Sequence, residues 1–387
     1  MQVMHFLMRL RSTIPILLAL CGTVSAFAGD DTPAAADALS IQFGYYEQDD
    51  GSDERGGQPQ LDEEAMVYEA IIVYDKALSE SDRLKMKVVA DVITSASQTR
   101  EHNRSFRILQ SSPSGNKRLE GGLEWQRAHE ASGVGANLSF GGEWNAYFSL
   151  GYGWNGWRRL SPDGQTVLSG RLQGYTDYFQ IKLYDGTEPG WDTRQTATTE
   201  LGLTHILTPR TILNLTGHYT HQSGYLATTY NSVYILGLEE AELLPSARNR
   251  GAVAGRVRRS LSRWNAVELG YRYYLDDWGI DSHTVEARWL QYLFGRRVII
   301  EPNYRFYSQQ GARYFATAFS DRPRFRTSDP DLGEFDAHGW GVDLRWVEAP
   351  LWPGGARRGD VSLGFSQVSR SDDLELFWIT SGITMRF

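Results

Sequence analysis

Phe377-Trp378-Ile379-Thr380-Ser381-Gly382-Ile383-Thr384-Met385-Arg386-Phe387 alternates with a period of two residues. In an extended strand, Phe377, Ile379, Ser381, Ile383, Met385 and Phe387 share one face, and Trp378, Thr380, Gly382, Thr384 and Arg386 share the other. The first face is greasy and the second polar. As an edge strand of a soluble sandwich, this segment would leave a long apolar stripe facing water or needing a second sheet. In an outer-membrane barrel the stripe meets lipid. A terminal Phe also resembles the C-terminal signal by which such barrels are recognised for assembly, which marks Phe377 and Phe387 as candidate assembly residues.

The same dyad runs through the chain. Leu84, Met86, Val88, Ala90 and Val92 oppose Lys85, Lys87 and Asp91, while Val298, Ile300, Pro302, Tyr304 and Phe306 oppose Glu301, Asn303, Arg305 and Tyr307. Aromatics at the ends of apolar faces (Trp289, Tyr304, Phe306, Trp340, Trp346, Phe387) suggest interfacial girdles. Segments with strand character fall at 39–48, 63–75, 84–94, 117–129, 133–140, 144–154, a weak one at 166–175, and 193–207. Eight more follow at 212–222, 251–261, 264–275, 283–294, 297–309, 336–347, 360–369 and 374–387. The expected fold is therefore all-β: a single transmembrane antiparallel up-and-down β-barrel of about 16 strands, or 14 if the weak seventh is lost.

Connector lengths test sidedness independently. Thr208-Pro209-Arg210, Ser262-Arg263 and Gly295-Arg296 are short, whereas 95–116, 223–250 and 310–335 are long. Short turns belong to the periplasm and long loops to the outside, so both termini are expected in the periplasm. Exceptions are a short outer turn near Gly141-Gly142 and a longer inner connector at 348–359.

Residues 1–28 read as an export signal: Arg9 and Arg11, an apolar run from Ile14 to Cys21, then Ala26-Phe27-Ala28 before Gly29. Leu18-Ala19-Leu20-Cys21 looks like a lipidation box, but Leu20 stands where Gly, Ala or Ser is needed, so cleavage near Ala28 is expected. Residues 29–38 form a short periplasmic segment and 39–387 the barrel. Cleavage removes the only cysteine, which excludes disulfides and thiolate metal sites from the mature chain. Nothing in the mature part approaches 18 consecutive apolar residues, so helical spans are excluded. With 39 basic against 47 acidic residues, a net charge of −8 argues against nucleic acid as a partner.

Two constellations carry candidate chemistry. Asp276-Asp277-Trp278-Gly279-Ile280-Asp281-Ser282-His283 joins two strands at the outer rim, where Asp276, Asp277, Asp281 and His283 beside Trp278 form a candidate ligand or cation site. The alternative is a turn whose Asp side chains accept backbone N–H bonds. Glu268 and Arg272, Glu286 and Arg288, Glu301 and Arg305, and Asp343 and Arg345 occupy the lumen parity of four successive strands. They form either a filled salt-bridge network or the lining of a wet constriction. His218 takes the lumen parity and His205 and His221 the opposite one, which argues against a shared metal. No Gly-x-Ser-x-Gly or other specific nucleophile motif is present, so no enzyme and no cofactor are expected.

Gly270-Tyr-Arg-Tyr-Tyr-Leu-Asp-Asp-Trp-Gly-Ile-Asp-Ser-His-Thr284 and the stretch Tyr304 to Phe315 resemble an uncharacterised outer-membrane barrel family, domain-of-unknown-function family thirty-five seventy. Leu201 to Arg210 and Gln222 to Tyr230 add to the match, so the resemblance spans nearly all of the mature chain; Ser328 to Leu332 and the surroundings of Gly141 depart from it. The resemblance implies a barrel without an assigned reaction, often neighboured in genomes by thioredoxin-like and flavin-transfer proteins. The expected function is passage of small solutes across the outer membrane. The alternatives are a non-conducting binding or scaffold barrel supporting an extracytoplasmic redox or flavin-related pathway and, third, a rim-located enzyme. Expected partners are outer-membrane lipids, the barrel-assembly machinery, small solutes and periplasmic proteins.

Overall fold

The computed structural model describes residues 36–49, 54–55, 58–59, 65–95, 116–143, 146–227, 231–351 and 357–387. The export signal expected at 1–28, the start of the next segment and most of the long connector expected at 95–116 lie outside them. Sixteen long strands build a closed barrel. They are β1 (Ala38–Asp49), β2 (Ala65–Ala77), β3 (Asp82–Ser95), β4 (Asn116–Ala128), β5 (Ser132–Glu143), β6 (Tyr147–Arg159), β7 (Thr166–Ile181) and β8 (Gly190–Thr208). After them come β9 (Thr211–Gly224), β10 (Ala247–Ser262), β11 (Asn265–Asp276), β12 (Asp281–Leu293), β13 (Val298–Gln309), β14 (Phe335–Pro350), β15 (Arg358–Arg370) and β16 (Glu375–Arg386). Every neighbouring pair is antiparallel, and β1 pairs with both β2 and β16. The barrel sheet therefore has no open edge.

Alternation sorts the side chains. On β6, Phe148, Leu150, Tyr152 and Trp154 are exposed on the outer surface while Tyr147 and Ser149 are buried toward the lumen. The closing strand keeps the expected parity, with Ile379 and Ile383 outward. Outward aromatics link into a belt across the seam: Tyr68 contacts Tyr45, Tyr45 contacts Phe377, Phe377 contacts Phe365, and Phe365 contacts Trp340, with ring centroids 5.1–6.3 Å apart. Phe377 thus sits in the middle of the closure. At the other end of the seam, Phe387 stacks on Tyr74 at 6.3 Å and exchanges two backbone hydrogen bonds of 3.0 Å with Asp37. The Asp37 carboxylate accepts from the Tyr74 hydroxyl (2.7 Å) and the Ala77 N–H (3.0 Å), which hold its pKa below the usual carboxylate range. Its contribution to the seam is therefore present above the ordinary carboxylate range and lost as pH falls through the lowered value.

The seventh strand, weak in sequence, is a full strand, and sixteen is the count. Its outward positions include Gly170 and Gly174, which interrupt the apolar stripe. Neighbours supply the missing surface: Leu201 lies against Gly170, and the Tyr152 ring occupies the space that a side chain at 174 would need.

The rim carrying Ala38 and Arg386 has short turns at 78–81, 129–131, 209–210 and 263–264, while the opposite rim carries 225–246 and 310–334. These two loops are packed structures. A hairpin of Ser232–Ile235 and Leu238–Ala241 buries Val233 and Ile235 completely and bridges to Phe319 in the other loop. Trp278 and Ile280, Ala312 and Leu332 form a shared core beneath, with Leu226 and Leu244 packed on it.

A charge on the lipid-facing parity has no partner in hydrocarbon. Leu269→Arg, outward on β11, should cost about 2–4 kcal/mol in equilibrium unfolding from lipid bilayers. Removing Phe387 should lower the amount of heat-modifiable, membrane-inserted protein, because the closing strand loses its last backbone pair and its aromatic anchor. Undiminished insertion after that deletion would contradict the role given to the terminus.

Candidate functional site

The lumen of β10–β14 carries the charge belt. Parity places Glu268 and Arg272 on β11, Glu286 and Arg288 on β12, Glu301 and Arg305 on β13, and Asp343 and Arg345 on β14 toward the inside, as the alternation predicts. Their pairing runs across strands rather than along them. Arg256 on β10 reaches Glu268 at 3.3 Å and Glu286 at 3.4 Å, Arg305 approaches Glu286 at 3.8 Å, and Arg288 and Arg345 approach Glu301 at 3.9 Å each. Asp343 accepts from Asn303 at 3.5 Å. The hub is Arg256, which sequence reasoning passed over. Its signal was the even parity of Arg248, Arg250, Arg256 and Arg258, a row of arginines on one face of β10.

A second polar group lies higher on the wall. The Tyr147 hydroxyl donates to Asp177 at 2.7 Å, and Asp177 pairs with Arg194 at 3.1 Å. Both partners of that ion pair are nearly buried, which suits a pair with this short a contact. Tyr225, from the 225–246 loop, packs against Phe179 and Tyr147, so this loop reaches onto side chains of lumen parity. None of these residues stood out in the sequence, because they meet only when β6, β7 and β8 come into register.

The candidate rim residues divide into two groups. Asp276, Asp277 and Trp278 share one turn. Asp276 Oδ1 accepts from the backbone N–H of Trp278 and of Ile280 at 3.0 Å each, and Oδ2 accepts from Arg248 (2.9 and 2.5 Å) and the Tyr274 hydroxyl (2.8 Å). With its side chain fully buried, this carboxylate is committed to the turn. Asp277 accepts from the backbone N–H and side-chain amide of Asn249. Trp278 is buried, donates its indole N–H to the Ala247 carbonyl, and lies under the Arg248 guanidinium at 4.3 Å. Asp281 and His283 instead line an open polar cleft of about 560 Å³ with Gln310, Glu334, Asp336 and Ser371. His283 takes the outward parity, 2.7 Å from the Tyr271 hydroxyl. His338 with Tyr304, and Asn249 with Tyr219, repeat that arrangement on the outer surface. Among the described residues, no group of three or more His, Cys, Asp or Glu side chains is placed to hold a metal ion. His218 faces the lumen, 3.4 Å from Glu200, whereas His205 and His221 face outward, bonded to Thr166 and Asn249.

The family described as "Protein of unknown function (DUF3570)" has a model that matches residues 164–349. The match bears out the resemblance over β7 to β14, a shorter span than the nearly complete mature chain expected from the sequence. No curated protein matches the chain. Among solved structures, a bacterial polysaccharide outer membrane secretin is similar, with a TM-score of 0.51 and 9% identity over 90% of this chain and 98% of that one. OccK8 (OprE) of Pseudomonas aeruginosa is similar at a TM-score of 0.44 and 10% identity, over 91% of this chain and 98% of that one. At such identities the likeness concerns the fold alone.

Removing the Asp276 carboxylate strands Arg248 and two backbone N–H groups. Asp276→Ala should cost about 3–5 kcal/mol in unfolding, as breaking a buried ion pair does. Asp277→Ala, which gives up exposed acceptors, should cost about 1 kcal/mol. Denaturant titration of the refolded variants in detergent reads both, and equal costs would refute the division of roles.

Proposed function

We propose that this protein is an outer-membrane barrel, with termini in the periplasm and its packed loops outside, that passes small polar solutes. The lumen carries this reading. Sixteen strands normally enclose an aqueous channel unless a plug fills it. The belt residues fit a wet lining: several contacts lie at 3.8–3.9 Å, and the Arg345 side chain keeps 51% of its surface exposed. A dry network would need closer pairing to offset the desolvation of its charges. Export through the segment at 1–28 and the all-round apolar exterior accord with that location. The barrel catalyses nothing on this reading and takes no cofactor.

One observation favours a second reading, a non-conducting barrel that binds a partner. The loops 225–246 and 310–334 share a core, and Tyr225 reaches onto Phe179. A cap that closes the mouth would make the loops the functional surface, in support of an extracytoplasmic redox or flavin-related pathway.

Recordings in planar bilayers separate the two. A passage gives stepwise conductance, and Arg305→Glu should then move its ion preference toward cations, since the local field reverses where bulk screening is weakest. An unaltered preference in a conducting protein would refute the belt as constriction. Absence of conductance in both proteins would favour the capped scaffold.

A further inference from the structure

The arginines of the upper lumen are not equally engaged. Arg194 and Arg248 are held by Asp177 and Asp276, and Arg256 by Glu268 and Glu286. Arg250 and Arg272, between these levels, make no ion pair among the described residues, and the buried Nε of Arg250 has no hydrogen-bond partner. Register places a row of short side chains between them. Ala252 and Ala254 are the lumen-facing residues that follow Arg250 on β10, and neither side chain extends past a methyl. Ala252 is flanked by His218 on β9 and Tyr274 on β11, and Ala254 by Thr216 and Arg272. On the next strand Thr284 lies beside Arg272, its hydroxyl oxygen buried without a partner, and Tyr307 follows. Arg272 lies over the Tyr274 ring at 5.3 Å, and Arg305 over Tyr307 at 5.8 Å. The neighbouring carboxylates are already taken: Asp276 by the turn, Glu286 by Arg256 and Arg305, and Glu200 by His218.

We propose that this stretch of the lumen wall binds the carboxylate of a small organic anion in transit, with Arg250 and Arg272 as the binding residues. The inference rests on the passage reading and names its substrate class. A guanidinium offers a planar fork of N–H donors that matches a carboxylate, and a guanidinium without an internal anion is available for an external one. The alanine methyls and the tyrosine rings give the organic body of such a solute apolar contact, which inorganic phosphate or chloride does not use. The neighbouring pairs keep the total field moderate, which lets the solute leave as well as enter.

The test uses butyrate, inorganic phosphate, and the full mature protein in bilayers at about 0.1 M salt, where screening leaves local charge effective. Butyrate should block wild-type current in a concentration-dependent way, with phosphate at least tenfold weaker. In Arg250→Gln/Arg272→Gln, checked for folding by heat-modifiability, the block should weaken at least tenfold. Lys85→Gln, a lumen cation on β3, should keep it. Equal block by phosphate, or block by butyrate that survives the double substitution, overturns the site. Calorimetric titration of butyrate into the detergent-solubilised protein separates the site from the passage. Binding lost in the double variant sustains the site even where no current is seen, and no heat with a conducting wild type overturns it while leaving the passage intact.

Discussion

Closure of the backbone hydrogen-bond ladder is the constraint on which everything else depends. In hydrocarbon an unpaired N–H or C=O has no water to turn to, so a sheet can cross only when its first and last strands find each other. Here β1 and β16 do so along their whole length, from Ala38 opposite Arg386 to Asp49 opposite Glu375. Aromatic side chains hold both ends of that seam. Phe377 bridges the aromatics of β1 and β15, and Phe387 locks onto Asp37 and Tyr74.

Once the sheet is closed, its two-residue period divides the chemistry between lipid and lumen. That division was legible in the sequence because it needs no knowledge of partners: Ile379 faces out and Thr380 in by parity alone. The seventh strand was harder to read for a related reason. Its apolar surface belongs partly to Leu201 and Tyr152, which cover Gly170 and Gly174 from adjacent strands, so no window along the chain contains the whole stripe. Strand propensity of this kind is a property of the packed surface rather than of the segment.

The lumen contacts were less legible, and the reason is register. Parity assigns Glu268, Arg272, Glu286 and Arg305 to one face, but which guanidinium meets which carboxylate depends on the stagger between strands. Glu286 stands opposite Arg305 across the β12–β13 ladder, and Arg256 reaches it from β10 across Gly270, where a larger side chain would intervene. The rim turn shows the converse. Three aspartates and a histidine within eight residues read as one cluster, but local geometry committed Asp276 to Trp278 and Ile280, and strand parity sent His283 to the outer surface beside Tyr271.

The packed loops and the arginine wall meet at Asp276. The same carboxylate organises the turn that carries Trp278 into the loop core and holds Arg248 above the lumen. Its two oxygens bind the loop on one side and the wall on the other. Commitment of Asp276 to those partners removes a counter-charge from Arg250, the residue opposite it across the β10–β11 ladder. The next row, His218, Ala252 and Tyr274, supplies no carboxylate to replace it. The unmatched positive charge below the cap is thus a consequence of how the cap is anchored, and the proposed anion site rests on that anchoring.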